Sequence, residues 1–368
     1  MNPVRGCHPD RVIQTDIVIK PIKMKKLFTF AFCALLTFVF IFTSCSKKSD
    51  PVPLPTLKIG LVSDLGGFSD AGFNQALLYG FQAASRDFPI SSEAKESKLQ
   101  EDIASNIGYF VTKGFDLIIT AGFNAAEATI SAANANPGID FVIIDYSMAN
   151  PPVNLLCAVF DVDQASFQCG FLAAWWALKQ TPADPVTGFV AGPEIPEIRQ
   201  FAVSYSQGVT YFNTKYHRNV QTIGHYATSF SDSLQGTELA DSLIGRNASV
   251  IFAFAGSTGN GALYKAKEAG KWAIGVDVDQ FFTIPPVAPI LLTSCMKALD
   301  VIIYNIIYSY YNYYYPGGTV IHGNLNNGGV GIAPFHYFDG MVPDSIKRAL
   351  TDISAGIKNG TIDTGWPE

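Results

Sequence analysis

From residue 57 onward, short apolar segments alternate with longer segments in which apolar residues recur at helical spacing. Short runs of consecutive apolar residues are typical of strands buried on both faces, and the longer periodic segments predict helices. The first part of the chain gives strands over 57–63, 117–120 and 141–144, with helices over 74–88 and up to residue 133. Because strands alternate with helices, the pattern predicts βαβ units around a parallel sheet.

The same order recurs in the second half of the chain. Predicted strands and helices follow one another over residues 187–191, 198–209, 249–254, 262–268 and 272–276. Two successive α/β sets of similar length predict a protein of two similar lobes. In parallel sheets, the loops at the carboxyl ends of the strands form the ligand crevice. Polar groups from both sets are therefore expected to converge on one cleft: Asp64, Asp145, Asp277 and the loops 122–124 and 256–261.

A separate pattern occupies the first 56 residues. Met24-Lys25-Lys26 supplies a positive start, residues 27–42 are almost all apolar, and small residues lead to Cys45. This is the layout of a secretory signal, and a cysteine at the cleavage point resembles the lipobox of bacterial lipoproteins. We therefore expect 1–44 to be an upstream segment and signal peptide, Cys45 to be acylated, and 45–56 to be a lipid-anchored linker. An uncleaved membrane anchor is the alternative, because the apolar run is nearly long enough to span a bilayer.

Composition narrows the class of protein. Of 368 residues, 48% are apolar and 15% are charged, which favours a packed globular body over disorder. The first 44 residues carry six Lys or Arg and two Asp or Glu, so the remaining 324 have a formal charge of −10. A body of 324 residues favours two domains. Its negative charge argues against nucleic acid as a partner.

The cysteines and histidines give no sign of a metal site. Beyond Cys45, the remaining Cys157, Cys169 and Cys295 stand in apolar stretches, which favours buried thiols. The five histidines lack the spacing of metal ligands. We therefore expect neither a metal nor a cofactor.

Four motifs, in order along the chain, are specific enough to indicate a family. They lie at 58–75 (Lys-Ile-Gly-Leu-Val-Ser-Asp, then Leu-Gly-Gly-Phe-Ser-Asp-Ala-Gly-Phe-Asn-Gln), 188–201 (Gly-Phe-Val-Ala-Gly, then Pro-Glu-Ile-Arg-Gln-Phe), 255–261 (Ala-Gly-Ser-Thr-Gly-Asn-Gly) and 275–297 (Gly-Val-Asp-Val-Asp-Gln, then Leu-Thr-Ser-Cys-Met-Lys). Together they resemble the basic membrane protein family of ABC-transporter substrate-binding lipoproteins, whose best understood members bind purine nucleosides.

This resemblance implies an α/β, type I periplasmic-binding-protein fold, in which two Rossmann-like lobes with parallel sheets are joined by three crossovers. We expect lobe 1 to comprise residues 57–160 plus 287–318, and lobe 2 to comprise 161–286 plus 319–368.

The residues of these motifs suit a nucleoside, which offers two aromatic faces, a polar base edge and sugar hydroxyls. Phe73 and Phe230 fall in predicted cleft loops, where phenylalanines from opposing lobes would stack on a base; ordinary core packing is the alternative. Asp64 and Asp145 end predicted strands and, with Asn74, are expected to hydrogen-bond the base edge. Capping of the following helix is the alternative for Asp64 and Asn74.

The family resemblance also assigns the sugar end of the ligand. Asp277 and Lys297 match the family positions that bind ribose hydroxyls, and a structural ion pair is the alternative. Ser257 and the backbone N–H groups of the glycine-rich loop are expected close to the sugar, where glycine gives access. The complete predicted ligand site, which has no catalytic residue, comprises Asp64, Asp70, Phe73, Asn74, Phe123, Asp145, Phe230, Gly256, Ser257, Asp277 and Lys297.

These features predict an extracytoplasmic, lipid-anchored receptor of an ABC importer, facing the periplasm or the cell exterior. It would close its lobes on a nucleoside-like ligand and pass it to a permease without breaking a bond. A purine nucleoside is the main candidate for this ligand. A nucleoside hydrolase and a ligand sensor or surface interaction protein of the same fold stay open as alternatives. A flavin-like ligand also stays open, and the tyrosine-rich stretch 308–315 is expected to pack as a helix end or to offer a partner surface.

Overall fold

Six parallel strands form a first sheet in the computed structural model, which describes residues 56–367. The predicted signal peptide, Cys45 and nearly all of the predicted linker lie outside the described residues. In spatial order the strands are β11 (Val320–Gly323), β5 (Leu155–Phe160), β4 (Asp140–Ile144), β3 (Leu117–Ala121), β1 (Lys58–Val62) and β2 (Ser91–Lys95). The edge strand β2 is polar and not fully buried, which is why a search for apolar runs did not predict it.

A second sheet of six strands repeats this order. Its strands are β12 (Val330–Ile332), β10 (Leu291–Lys297), β9 (Trp272–Asp277), β8 (Ala248–Phe254), β6 (Val186–Ala191) and β7 (Gln221–Tyr226). All neighbours are parallel except β12, which runs antiparallel to β10. In each sheet one edge strand, β11 or β12, comes from late in the chain. Each sheet is therefore completed only after the chain has already contributed strands to the other sheet.

Helices cover both faces of the two sheets, and this explains the continuous apolar runs. Alternate residues of β3 pack in opposite directions: Leu117 and Ile119 join the buried cluster under α1, and Ile118 joins the cluster under α2. The helices are α1 (Phe73–Asp87), α2 (Gln100–Thr112), α3 (Ala126–Ala135), α4 (Asp163–Gln180), α5 (Pro196–Tyr216), α6 (Ser233–Gly245), α7 (Gly256–Glu268), α8 (Gln280–Thr283), α9 (Leu299–Tyr311) and α10 (Asp344–Lys358). Across residues 56–367, none of them has the length and apolar content that crossing a membrane requires.

The chain passes between the two sheets three times. It leaves the first sheet between β5 and α4, returns between β10 and α9, which packs on α1, and leaves again between β11 and β12. The predicted α/β architecture of two lobes joined by three crossovers is therefore confirmed.

The sheets divide the chain at residues that differ from the predicted lobe boundaries. β10 pairs with β9 in the second sheet, although 287–318 was expected in lobe 1. β11 pairs with β5 in the first sheet, although 319–368 was expected in lobe 2. An apolar run has the same pattern in either sheet, so only strand pairing decides which sheet it joins. Below, lobe 1 and lobe 2 denote the parts of the chain that carry the first and the second sheet.

Candidate ligand-binding cleft

One cleft, with an empty volume of about 670 Å³, lies where the carboxyl ends of strands from both sheets face each other. All eleven predicted ligand residues line it: Asp64, Asp70, Phe73, Asn74, Phe123, Asp145, Phe230, Gly256, Ser257, Asp277 and Lys297. The structure thus brings the predicted set together, and contact of each residue with a ligand stays a prediction.

A lysine at the end of β10 pairs with a carboxylate from each lobe. Lys297 Nζ lies 2.6 Å from Asp145 Oδ2, across the cleft in lobe 1, and 3.4 Å from Asp277 Oδ1 in lobe 2. Both aspartates end a strand with a left-handed backbone, at φ 64° and 66°. Aspartate adopts this conformation more readily than most residues other than glycine. The backbone at each strand end therefore turns both carboxylates toward one ammonium.

Burial shapes the ionisation of this group. Burial acts to lower the pKa of Lys297, but Asp145 and Asp277 outweigh it, so the pKa of the ammonium lies above its ordinary value. Burial raises the pKa of Asp277 to about 6, Lys297 opposes the rise, and Asp145 and Asp70 add to it. One cation thus serves two carboxylates, and the more distant one, Asp277, is less well compensated.

Three aromatic rings surround the ammonium. Its Nζ lies 5.2 Å from the ring centre of Phe201, 5.5 Å from that of Phe73 and 5.9 Å from that of Phe160. Ring faces attract a cation at such distances. These rings, together with the carboxylates, hold Lys297 in place at the floor of the cleft.

Asn74 joins two carboxylates of lobe 1 into one network. Its Nδ2 donates to Asp64 Oδ1 at 2.6 Å and to Asp70 Oδ2 at 2.9 Å, and its Oδ1 accepts from the Asp64 backbone N–H. The amide of Asn74 is therefore committed to positioning Asp64 and Asp70. A direct bond from this amide to a ligand would require rearrangement of the network.

Asp70 serves the start of α1. Its carboxylate accepts from the backbone N–H groups of Gly72, Asn74 and Gln75 at 2.8–3.1 Å. The helix-capping role that the sequence left open for Asp64 and Asn74 thus belongs to Asp70.

Asp64 keeps one oxygen for other partners. Its Oδ1 accepts from Gly66 N–H and from Asn74, whereas Oδ2 takes part in none of the hydrogen bonds among residues 56–367. Burial raises the pKa of Asp64 to about 6, although its hydrogen bonds with Gly66 and Asn74 oppose the rise.

Phe230 enters the cleft from lobe 2 and depends on two glycines. A Cβ at Gly192 would meet the Phe230 ring, and one at Gly256, which has φ 58°, would lie 2.9 Å from the Phe230 carbonyl oxygen. Gly256 therefore serves both a left-handed backbone and close contact with Phe230.

The prediction of a loop over residues 256–261 is wrong, because helix α7 already begins at Gly256. Gly261 packs against the Ser233 carbonyl of α6, so it permits close helix packing and does not provide ligand access. The glycine-rich sequence that predicted a loop is helical, and the missing side chain of Gly261 lets α6 and α7 pack closely. Ser257 stands in the first turn of α7 and lines the cleft.

Two further hydrogen bonds cross between the lobes beside the cleft. Asn260 Nδ2 of α7 donates to the Asp70 carbonyl at 2.9 Å, and Thr283 Oγ1 of α8 donates to the Ala71 carbonyl at 2.7 Å. These two bonds tie the segment before α1 to lobe 2, and the Lys297–Asp145 pair joins the lobes at the end of β4. The described conformation is one in which the lobes touch across the cleft.

Comparison with known proteins identifies the family. A family model described as ABC transporter substrate-binding protein PnrA-like matches residues 57–362. This protein belongs to that family, the Bmp family. The predicted family resemblance is confirmed, and the protein is an ABC transporter substrate-binding protein.

The chain is similar to named proteins over most of its length. It is 29% identical over 332 residues to the ABC transporter nucleoside-binding protein BmpA of Lactococcus lactis, which covers 85% of this chain and 90% of the relative. It is 30% identical to basic membrane protein A1 of Borrelia garinii subsp. bavariensis, over 88% of this chain and 92% of the relative.

Solved structures support the same fold. An ABC transporter solute-binding protein from Aeropyrum pernix K1 superposes with a TM-score of 0.77 and 21% identity, over 83% of this chain and 92% of that one. A second, from Conexibacter woesei, gives 0.62 and 18%, over 85% of this chain and 100% of that one. The predicted type I periplasmic-binding fold is confirmed.

This Bmp-family member also lines its cleft with residues that the sequence did not select. They include Glu197, Phe201 and Phe254. The first two belong to the motif at 196–201, which served only to identify the family. The position of this motif at the start of the helix after β6 is the one sequence signal that could have placed it at the cleft. Phe254 closes β8, and nothing in a buried apolar strand distinguishes its last residue as a site residue.

Proposed function

We propose that this protein is the lipid-anchored receptor of an ABC importer and captures a neutral nucleoside between its lobes, with a purine nucleoside as the main candidate. The observation that carries the proposal is the cleft itself: phenylalanines from both lobes, Phe73 and Phe230, line it together with the Lys297 ion-pair group. Aromatic rings suit the base, and paired carboxylates and an ammonium suit a vicinal diol.

The charge of the cleft favours a neutral ligand. Five carboxylates line it, from Asp64, Asp70, Asp145, Glu197 and Asp277, against the single ammonium of Lys297. Hydroxyl and amino groups donate to such acceptors, whereas a phosphate would face uncompensated negative charge. A nucleoside meets this requirement and a nucleotide does not. The name of the Lactococcus relative, a nucleoside-binding protein, supports the same class.

Closure of the lobes provides the mechanism. Ligand contacts made by both lobes exist only in the closed state, so binding shifts the population toward closure. Moving an equilibrium from 1:99 to 99:1 takes about 5.5 kcal/mol of differential binding. One stacked base at about 1–3 kcal/mol, with several hydrogen bonds of about 1 kcal/mol each, is of the size required. The closed protein would then present its ligand to the permease.

Titration calorimetry on the full chain tests the proposal. The protein is purified in detergent, unfolded to release any carried ligand, refolded, and titrated with inosine, guanosine, adenosine, inosine 5′-monophosphate and riboflavin. We expect at least one purine nucleoside to bind with micromolar or tighter affinity, and the monophosphate to bind at least about 100-fold more weakly. Binding of riboflavin alone, or release of free base from the nucleoside, would contradict the proposal and favour a flavin receptor or a hydrolase respectively.

A further inference from the structure

Glu197 carries a buried oxygen that no group among residues 56–367 satisfies. It is the second residue of α5 and lines the cleft. Its Oε2 is buried and has no hydrogen-bond partner among residues 56–367. Only two other buried side-chain atoms of the described chain share this property, Trp176 Nε1 and Ser204 Oγ, and neither residue lines the cleft. An unsatisfied acceptor at a ligand site calls for a donor that the protein itself does not supply.

The surroundings of Glu197 make an unpaired acceptor costly at this position. Burial raises the pKa of its carboxyl, Asp145 adds to the rise, and its own backbone N–H and Lys297 oppose it. Lys297 is already engaged by Asp145 and Asp277. A buried acceptor without a donor costs stability, and a donor that arrives with the ligand would recover that cost.

A neighbouring glutamate shows that the local sequence does not force this arrangement. Glu194, three residues earlier, is exposed and pairs with Arg199 at 3.9 Å. A cation, Arg199 of α5, is therefore near in sequence, yet among residues 56–367 it pairs with Glu194, whereas Glu197 lines the cleft. An acid in the first turn of a helix is ordinarily explained by the helix dipole. The dipole does not require burial of the carboxylate against the ligand space.

We propose that Glu197 determines ligand specificity by accepting a hydrogen bond, through Oε2, from a hydroxyl of the bound sugar. The proposal rests on the nucleoside function proposed above and assigns one more contact within it. Glu197 lies one helical turn before Phe201, whose ring centre is 5.2 Å from Lys297 Nζ, so Glu197 lies at the end of the cleft that holds Lys297 and its two aspartates. Three carboxylates and one ammonium at this end accept a neutral donor and disfavour an anionic substituent.

The test compares Glu197→Gln with Glu194→Gln, which removes the same charge three residues earlier in the chain and outside the cleft. Full-length wild type and both variants are titrated with inosine and with its 2′-, 3′- and 5′-deoxy analogues. We expect Glu197→Gln to weaken inosine binding by about tenfold or more, the size of a bond to a charged acceptor, and Glu194→Gln to leave it unchanged. The analogue that lacks the hydroxyl bonded to Glu197 should bind wild type about tenfold more weakly than inosine does. The same analogue should bind Glu197→Gln no more weakly than inosine does.

Unfolding of the ligand-free proteins separates a ligand contact from a structural role. Glu197→Gln should melt no lower than wild type, because it removes a buried charge that lacks a partner. A lower melting temperature with unchanged inosine affinity would overturn the proposal in favour of a helix-stabilising role. The proposal would also be overturned if each deoxy analogue lost the same affinity, relative to inosine, in Glu197→Gln as in wild type. Failure of wild type to bind any of the four compounds would instead contradict the nucleoside function, and the role of Glu197 with it.

Discussion

Asp145 and Asp277 occupy equivalent places in the two lobes, each at the carboxyl end of a strand with φ near 65°, and both contact the ammonium of Lys297. The matching left-handed turns bring one carboxylate from each sheet to the same cation. Since Asp145 lies across the cleft from Lys297, the pair also joins the lobes. The predicted ribose-binding residues and the structural ion pair that was their alternative are thus one group of atoms, and either role is compatible with it.

Replacing each aspartate by asparagine separates charge from backbone shape, because asparagine also tolerates the left-handed conformation. We expect Asp277→Asn to weaken nucleoside binding by about tenfold, the size of a hydrogen bond to a charged group, and to leave thermal stability at pH 7 unchanged or higher. Asp145→Asn should lower stability by about 2 kcal/mol, because it breaks the shorter pair. Calorimetry and chemical denaturation measure the two effects.

A ligand analogue checks the same assignment without altering the protein. If Asp277 and Lys297 hold the sugar diol, 2′,3′-dideoxyinosine should bind wild type far more weakly than inosine and lose little more in Asp277→Asn. Equal affinity of wild type for both compounds would remove the ribose role from Asp277.

The raised pKa values of Asp64 and Asp277 predict an unusual pH dependence of stability. Each carboxyl has a pKa of about 6 in the fold, against an ordinary value of 3.8. Between these values the folded protein binds more protons than the unfolded chain, so the free energy of unfolding falls as pH rises from about 4 to 6 and then levels off. The contribution is roughly 3 kcal/mol for each group.

Denaturant titrations at several pH values between 4 and 8 measure this trend. Asp64→Asn and Asp277→Asn should each flatten the decline by their own share. If nucleoside donors bond to the ionised carboxylates, affinity should rise over the same interval. A decline that is identical in wild type and both variants would show that other groups cause it.

Phe73→Ala tests stacking on the base. Loss of one aromatic face is expected to weaken nucleoside binding at least tenfold, within the range of about 1–3 kcal/mol for a stacked base. Tyr79→Ala is the matched control, because Tyr79 lies on the same helix α1, is 55% exposed and does not line the cleft. Equal affinities of the two variants, at unchanged melting temperature, would assign Phe73 to packing alone.

The bonds from Asn260 and Thr283 to lobe 1 predict a role in closure. Neither side chain lines the cleft, so Asn260→Ala and Thr283→Val should weaken binding only by favouring the open state, by about fivefold each. Small-angle scattering of the ligand-free variants should show a larger radius of gyration than wild type. Thr214→Val, on the exposed side of α5, should match wild type in both measurements. A compact variant with normal affinity would assign these bonds no part in closure.

Much of the cleft was predictable because several site residues carry a local signal. Asp64, Asp145 and Asp277 follow buried apolar runs, and the ends of parallel strands must share one edge of a sheet. Glu197 was missed for the opposite reason: a glutamate in the first turn of a helix is ordinary, and only the fold shows that its carboxylate is buried without a partner.

The sequence by itself determined the alternation of strands and helices, the two lobes, the family and the residues that end the cleft strands, because these depend on short-range pattern and order. Only the tertiary structure decided which sheet β10 and β11 complete, that α7 starts at Gly256, that Asp70 caps α1, and that one lysine serves two aspartates. Those outcomes depend on contacts between residues far apart in the chain, and the free energy of such contacts leaves no trace in local pattern.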